Sequence, residues 1–318
     1  MGAAAIGIDV GGTKIAGGVV DEHGSIRARE QVASPSGDAE AIVAAILEVI
    51  TRLDGDGEGL PVGVGAAGLI DLDGQVRYAP NLSWRDVPLR ALLERRLGRG
   101  VVVENDGNAA AWAEFVVGGA IDARKSAVML TLGTGVGGGL VLEERLLRGA
   151  HGLGAELGHI VIAEGGRRCN CGNLGCLEAY ASGTAIGRRA VEWRDRGEVP
   201  AGSPLDVDGA GGPAVTAAAA EGDPTAQAVL AEIGGWLGVG MASIANAVDP
   251  EIIVIGGGAS AAGEPLLGPA REAMAARLMG AAYRQQPGVR RAELGADAGL
   301  VGAALLARPE SADRRLPQ

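Results

Sequence analysis

The sequence predicts a duplicated α/β fold, two halves of similar layout, each with a mixed sheet, flanking a cleft. Three observations carry this. A strand–glycine–strand unit occurs twice, as Asp9-Val-Gly-Gly-Thr-Lys14 and as Thr131-Leu-Gly-Thr-Gly-Val136, which reads as an internal repeat. Apolar runs of strand length alternate with stretches of helical periodicity along most of the chain. The length, 318 residues, is long for one compact core and comfortable for two.

In chain order, Ala4–Val10 reads as a strand broken by Gly11-Gly12, then Ile15–Val20, then a turn at His23-Gly24 into Ser25–Ala33. Asp38–Leu53 has helical periodicity and Val62–Ala67 is a buried strand. Val87–Leu97 is expected as an amphipathic helix leading into the strand Val101–Glu104, with a further helix from Asn105-Asp106 to about Val117. Ala127–Leu132 and Val136–Leu142 repeat the opening hairpin. Thr184–Trp193 and Thr225–Ala247 read as helices, Gly197–Gly212 as a surface loop, Glu251–Ile255 as a strand and Leu300–Ala307 as a closing helix. The expected division is a small domain of residues 1–112, completed by the C-terminal helix 300–318, and a large domain of residues 113–299.

The composition narrows the function. The net charge of −11 argues against a nucleic-acid or anionic-membrane surface, which calls for clustered Lys and Arg. Only Lys14 and Lys125 are lysines. No charge-free apolar window of about 18 residues appears, and the N-terminus lacks the basic start of a signal peptide, so a cytoplasmic protein is expected. Phe115 is the sole phenylalanine, which leaves the core to Ala, Val, Leu and Ile.

Three glycine loops each follow a strand: Gly11-Gly12, Gly133–Gly139 and Gly256–Gly258. Such loops let backbone N–H groups approach a phosphate. Neither the P-loop pattern nor a dinucleotide fingerprint is present. Asn105-Asp106 stands at a strand end, where α/β folds place ligand-binding groups. A carboxylate there can take a hydroxyl proton during phosphoryl transfer, or it can simply cap the next helix. Glu104 reads as structural. His159, Cys169, Cys171 and Cys176 supply the one-nitrogen, three-sulfur set of a closed tetrahedral zinc site, with Gly172 and Gly175 permitting the turns. The loop around them has few apolar residues, so its order is expected to come from the metal. Glu156 and Glu178, tethered to the same loop, suit a polyol's hydroxyls, or simply face solvent as surface carboxylates.

Together these residues resemble the ROK family of bacterial sugar kinases and repressors, most closely its glucose-phosphorylating branch. The most specific match is Gly154-Ala-Glu-Leu-Gly-His159 followed by Cys169-Asn-Cys-Gly-Asn-Leu-Gly-Cys-Leu-Glu-Ala-Tyr-Ala-Ser-Gly183, with the opening loop and Glu104-Asn-Asp-Gly-Asn-Ala109 in support. The resemblance implies an actin-like (ribonuclease H-like) kinase transferring phosphate from MgATP to the 6-hydroxyl of glucose. Asp106 matches the catalytic base. Asn81, Asn105, Glu156, His159 and Glu178 match sugar-binding positions, and Gly68 lines the pocket by its backbone. Gly11, Gly12, Thr13 and Lys14 match the first phosphate loop, Gly133, Thr134 and Gly135 the second, and Gly256, Gly257 and Gly258 the nucleotide-side turn. Asp9 would hold Mg²⁺ through water. The resemblance also implies a homodimer or homotetramer with structural Zn²⁺. A start of the phosphate loop at residue 9 disfavours the repressor branch. A kinase for another hexose or for N-acetylmannosamine, a polyphosphate donor and a non-catalytic sugar sensor remain as alternatives.

Overall fold

The computed structural model describes residues 4–35, 38–55, 57, 59–79 and 82–309. β1 (Ala5–Val10), β2 (Lys14–Val20) and β3 (Ile26–Ala33) form an antiparallel meander. Three residues, Gly11 to Thr13, link β1 to β2, and so short a connection can only return the chain antiparallel. α1 (Ala39–Leu53) then crosses over to β4 (Val62–Ala66), which pairs parallel to β1. Asp38 caps α1 by accepting the Glu40 N–H, and its inward face carries Ile42, Ile46, Val49 and Ile50.

β5 (Leu69–Ile70), β6 (Val76–Ala79) and β7 (Trp84–Val87) make a small antiparallel sheet. α2 (Leu89–Leu97) returns the chain to β8 (Val101–Asn105), parallel to β4. The first sheet is thus ordered β3-β2-β1-β4-β8. α3 (Asp106–Val117) follows without a break.

The second sheet repeats this plan. It contains β9 (Ala127–Leu132), β10 (Val136–Leu142), β11 (Arg145–Leu146), β12 (Ile252–Gly256) and β13 (Gly288–Arg291), ordered β11-β10-β9-β12-β13. Numbered within its own sheet, each half reads 3-2-1-4-5, so the duplication expected from the two glycine hairpins extends to strand order. Between β11 and β12 lie α4 (Glu178–Ala181), α5 (Gly183–Asp195), α6 (Gly212–Ala220) and α7 (Pro224–Val248). α8 (Glu264–Ala275) precedes β13, and α9 (Ala298–Ala307) closes the described chain.

Two compact units emerge. One takes the described residues of Met1–Ala127, Gly139–Ala155 and Glu293–Gln318; the other takes Val128–Gly138 and Glu156–Ala292. The first unit therefore runs past the boundary expected at residue 112 and takes up a segment beginning inside β10. The reason lies in α9, which packs on β1, β4 and α3. A Cβ on Gly7 would collide with the Leu300 carbonyl, one on Gly63 with that of Ala303, and one on Gly302 with that of Ala109. Backbone meets backbone along this seam, and α3 is held to the N-terminal sheet through it.

Two further differences from the sequence reading have local causes. α2 begins at Leu89 rather than Val87, because Trp84–Val87 pairs with β6 and Pro88 takes the cap position. Gly212 opens α6 rather than closing a loop. Residues 310–318, grouped with the C-terminal helix in the expected small domain, lie outside the described residues. Among the described residues, α7 alone is long and apolar enough to cross a membrane. Its Leu230, Ile233, Leu237 and Met241 are buried within its unit, and Gly234 and Gly238 seat it against the α8 backbone.

Candidate active site

The parallel pairing of β1, β4 and β8 brings three strand ends to one edge of the first sheet. Asp9 lies opposite Gly65, and Ala66 opposite Asn105, so the residues that follow each strand emerge together. The Gly11 N–H donates to the Lys14 carbonyl at 3.0 Å, closing the first glycine turn with Gly12, Thr13 and Lys14 exposed. Gly68 follows β4 with φ 132°, a backbone angle that favours glycine.

Asn105 ends β8 and caps α3, its Oδ1 accepting the Asn108 N–H at 2.9 Å. The cap is therefore Asn105, and Asp106 is the first helical residue. The alternative reading of Asp106 as the cap is set aside by this geometry. The Asn105 amide also donates to the Gly68 carbonyl at 3.0 Å. An amide has two N–H groups and two lone pairs, so both tasks leave capacity for a ligand. Asn81, the remaining sugar-binding candidate of this unit, lies outside the described residues.

The Asp106 Oδ1 accepts the Gly107 N–H at 2.9 Å. Burial raises the Asp106 carboxyl above its ordinary range, against the lowering effect of that hydrogen bond. The Asp9 carboxyl is pushed from 3.8 up to about 6 by burial and then by the Asp106 charge, with Lys14 opposing. Two carboxylates thus share one field, and that field favours a cation or a shared proton beside them. Glu104 is buried and structural, as the sequence suggested: its Oε1 accepts the Asn105 N–H at 2.9 Å and the Asn108 amide at 3.0 Å. Its other oxygen is ion-paired with Arg148 at 2.8 Å, a partner the sequence reading did not identify.

In the second unit, Gly133, Thr134 and Gly135 turn β9 into β10, with the Gly133 N–H donating to the Gly135 carbonyl at 3.0 Å. Gly257, at φ 78°, stacks on the Leu132 backbone, which sets the Gly256–Gly258 turn against this loop. Glu156 is exposed, and its carbonyl accepts the N–H of half-buried His159 at 3.0 Å.

One ring nitrogen of His159 and the Sγ atoms of Cys169, Cys171 and Cys176 lie within 4.8 Å of one another. Cys171 Sγ is 3.7 Å from Cys176 Sγ, and Cys169 Sγ is 3.7 Å from His159 Nδ1. Bonds of about 2.1–2.3 Å in a tetrahedral site give ligand edges of about 3.5–3.8 Å, so the donor set fits such a cation. Gly172 and Gly175 take φ 99° and 83°, making the turns expected of them. Contacts other than the metal ligands also hold the loop. Arg167 pairs with Glu192 on α5 at 2.7 Å, its N–H donates to the Tyr180 hydroxyl at 2.7 Å, and Tyr180 packs on Trp236 with ring centroids 4.6 Å apart. These contacts stand beside the order expected from the metal.

Glu178, half-buried on α4, joins two parts of this unit. Its Oε2 accepts the Val136 N–H at 3.0 Å, and its Oε1 lies 3.3 Å from Cys169 Sγ.

Strand-end carboxylates beside a glycine turn, on sheets of repeated 3-2-1-4-5 order, define an actin-like ATPase fold. The sequence matches the ROK family over residues 5–310, and the chain belongs to that family. It is 43% identical over 312 residues to a glucokinase of Streptomyces coelicolor, covering 95% of this chain and 97% of that one. It is 33% identical over 305 residues to an N-acetylmannosamine kinase of Yersinia pseudotuberculosis, covering 95% and 98%. The crystal structure of a ROK family glucokinase from Streptomyces griseus in complex with glucose and AMPPNP superposes with a TM-score of 0.84 at 43% identity, covering 96% of this chain and 99% of that one.

Proposed function

We propose that this chain is an ATP-dependent glucokinase. The observation that carries the reading is Asp106. It stands at the end of β8, relieved of capping by Asn105, with burial making its carboxylate a better proton acceptor. The 6-hydroxyl oxygen of glucose forms the new bond to the γ-phosphorus of ATP as the bond to the ADP oxygen breaks. Asp106 takes the hydroxyl proton. Gly11–Lys14 and Gly133–Gly135 hold the phosphates through backbone N–H groups, and Gly256–Gly258 borders the nucleotide. Mg²⁺ accompanying ATP would neutralise charge on the transferring group, and Asp9 would hold it.

Asn81, Asn105, Glu156, His159 and Glu178 are assigned to the sugar's hydroxyls, with Gly68 presenting its backbone. The four-ligand Cys₃His set supports structural zinc, since every position of a tetrahedral shell is filled by protein. Reduced cysteines suit a cytoplasmic enzyme. We read the assembly as a homodimer or homotetramer.

The test is a coupled assay of purified protein with ATP and a panel of glucose, N-acetylmannosamine, fructose and allose, repeated with polyphosphate as donor. Glucose with ATP is expected to give the highest kcat/KM. Carboxylates placed for one hydroxyl pattern reject an analogue that leaves them unpaired. Equal efficiency with N-acetylmannosamine would move the substrate assignment, and absence of ADP formation with every sugar would favour a sensor.

A further inference from the structure

The stretch that follows the metal ligands, Glu178–Thr184, grips the second glycine loop at three successive points. The Gly183 N–H donates to the Gly133 carbonyl at 2.8 Å. The Thr184 Oγ1 donates to the Thr134 carbonyl at 2.8 Å. Glu178 Oε2 accepts the Val136 N–H at 3.0 Å, and a Cβ on Gly135 would collide with that same oxygen. Ser182, buried, caps α5 by accepting the Ala185 N–H at 3.1 Å, which fixes the helix start from which Gly183 and Thr184 reach the loop.

Planarity gives this grip a consequence. In a trans peptide the carbonyl and the following N–H point in opposite directions. Drawing the Gly133 carbonyl toward Gly183 turns the Thr134 N–H the other way. Drawing the Thr134 carbonyl toward Thr184 does the same for the Gly135 N–H. Two consecutive N–H groups then face one side, the arrangement that binds an anion, and the carbonyls that would repel it face the other. Without the Thr184 hydroxyl nothing else among the described hydrogen bonds holds the Thr134 peptide in that sense, and a flipped peptide would present its oxygen instead.

We propose that Thr184 is a positioning residue for the donor phosphates, acting through the orientation of the Thr134–Gly135 peptide. The inference rests on the reading of Gly133–Gly135 as a phosphate loop. Thr184 is exposed, so its replacement opens no cavity.

The experiment compares Thr184→Val, Thr184→Ser and Gly135→Ala by steady-state kinetics with ATP and glucose varied in turn, alongside thermal melting. Thr184→Val removes the hydroxyl at nearly constant shape. It is expected to raise KM for ATP about two- to tenfold, the size of one net neutral hydrogen bond. KM for glucose and Tm should not move, and Thr184→Ser should restore the ATP value. Gly135→Ala, which strikes the loop directly, should raise KM for ATP further. If Gly135→Ala does so and Thr184→Val does not, the positioning role is overturned while the phosphate loop stands. If both KM values rise in parallel, or Ser fails to rescue, Thr184 is only structural. If Gly135→Ala leaves KM for ATP unchanged, the phosphate-loop reading itself fails and takes this inference with it.

Discussion

The side-chain amide of Asn105 donates to the carbonyl of Gly68 at 3.0 Å, while its oxygen caps α3. One residue thereby ties the helix that begins with Asp106 to the turn that leaves β4. Asn105→Asp separates the two tasks. Aspartate is as good a cap as asparagine, but it has no N–H and sets a carboxylate against a carbonyl. The expected outcome is a loss of about 1–2 kcal/mol in stability with weaker glucose binding, read from urea midpoints and calorimetric titration. A silent substitution would mean that only the cap matters.

Asp106→Asn should lower kcat by about 10²–10⁴-fold, since asparagine matches the size of the carboxylate but cannot take a proton. Glucose affinity should change no more than about tenfold, or about 1.4 kcal/mol. The pH profile carries a second signature. A carboxyl raised by burial is protonated at higher pH than usual, so activity should fall on the acid side above the ordinary carboxylate range. A mutant retaining more than about a tenth of wild-type kcat would reopen the search for the base, given that an effective base is worth far more.

Asp9 should be a residue that costs stability. Its carboxyl is raised from 3.8 to about 6, so folding favours its protonated form. Its penalty is absent below pH 3.8, grows as pH rises, and is fully present above about pH 6. The shift corresponds to at most about 3 kcal/mol, and water at the half-buried carboxylate reduces this to about 1–2 kcal/mol. Asp9→Asn should therefore raise Tm at pH 8 by about 2–5 °C, with the gain shrinking toward pH 4, while activity is lost. Scanning calorimetry at the two pH values checks this; a gain independent of pH would locate its cause elsewhere.

Metal analysis should find about one zinc per chain, and Cys171→Ser should lower both zinc content and glucose affinity. Cys171 is the exposed ligand at the loop tip, whereas Arg167, Tyr180 and Trp236 hold the base. Chelation should therefore raise amide exchange around residues 169–175 more than at Tyr180. Uniform exchange across the loop would show that the aromatic anchor does not hold alone.

Much of this was legible in the sequence. The paired glycine hairpins announced the duplication because both sides of each turn are long apolar runs. The Cys₃His cluster was legible because four rare residues fall close together. What stayed hidden depended on distant partners or short elements. β5 to β7 are two to four residues each and include Asp86 at φ 50°, too little for a periodic signal. α8 carries Pro269 in its interior, which masks it as a helix. Arg148, which pairs with Glu104, is 44 residues away, and no local pattern links them. Which of Asn105 and Asp106 serves as the cap is a matter of one residue's backbone angle, which either side chain could satisfy.

The seam between α9 and β1, β4 and α3 bears on how the chain is made. A ribosome delivers Gly7 and Gly63 well before the helix that covers them. The first sheet therefore waits through synthesis of the second unit with one face uncovered, while the second unit has every segment it needs by Ala292. The order of emergence is inverted relative to the order of completion: the unit begun first is finished last. Nascent chains stalled before Ala298 should be clients of holdase chaperones, and a fragment released there should aggregate rather than persist as a shorter domain.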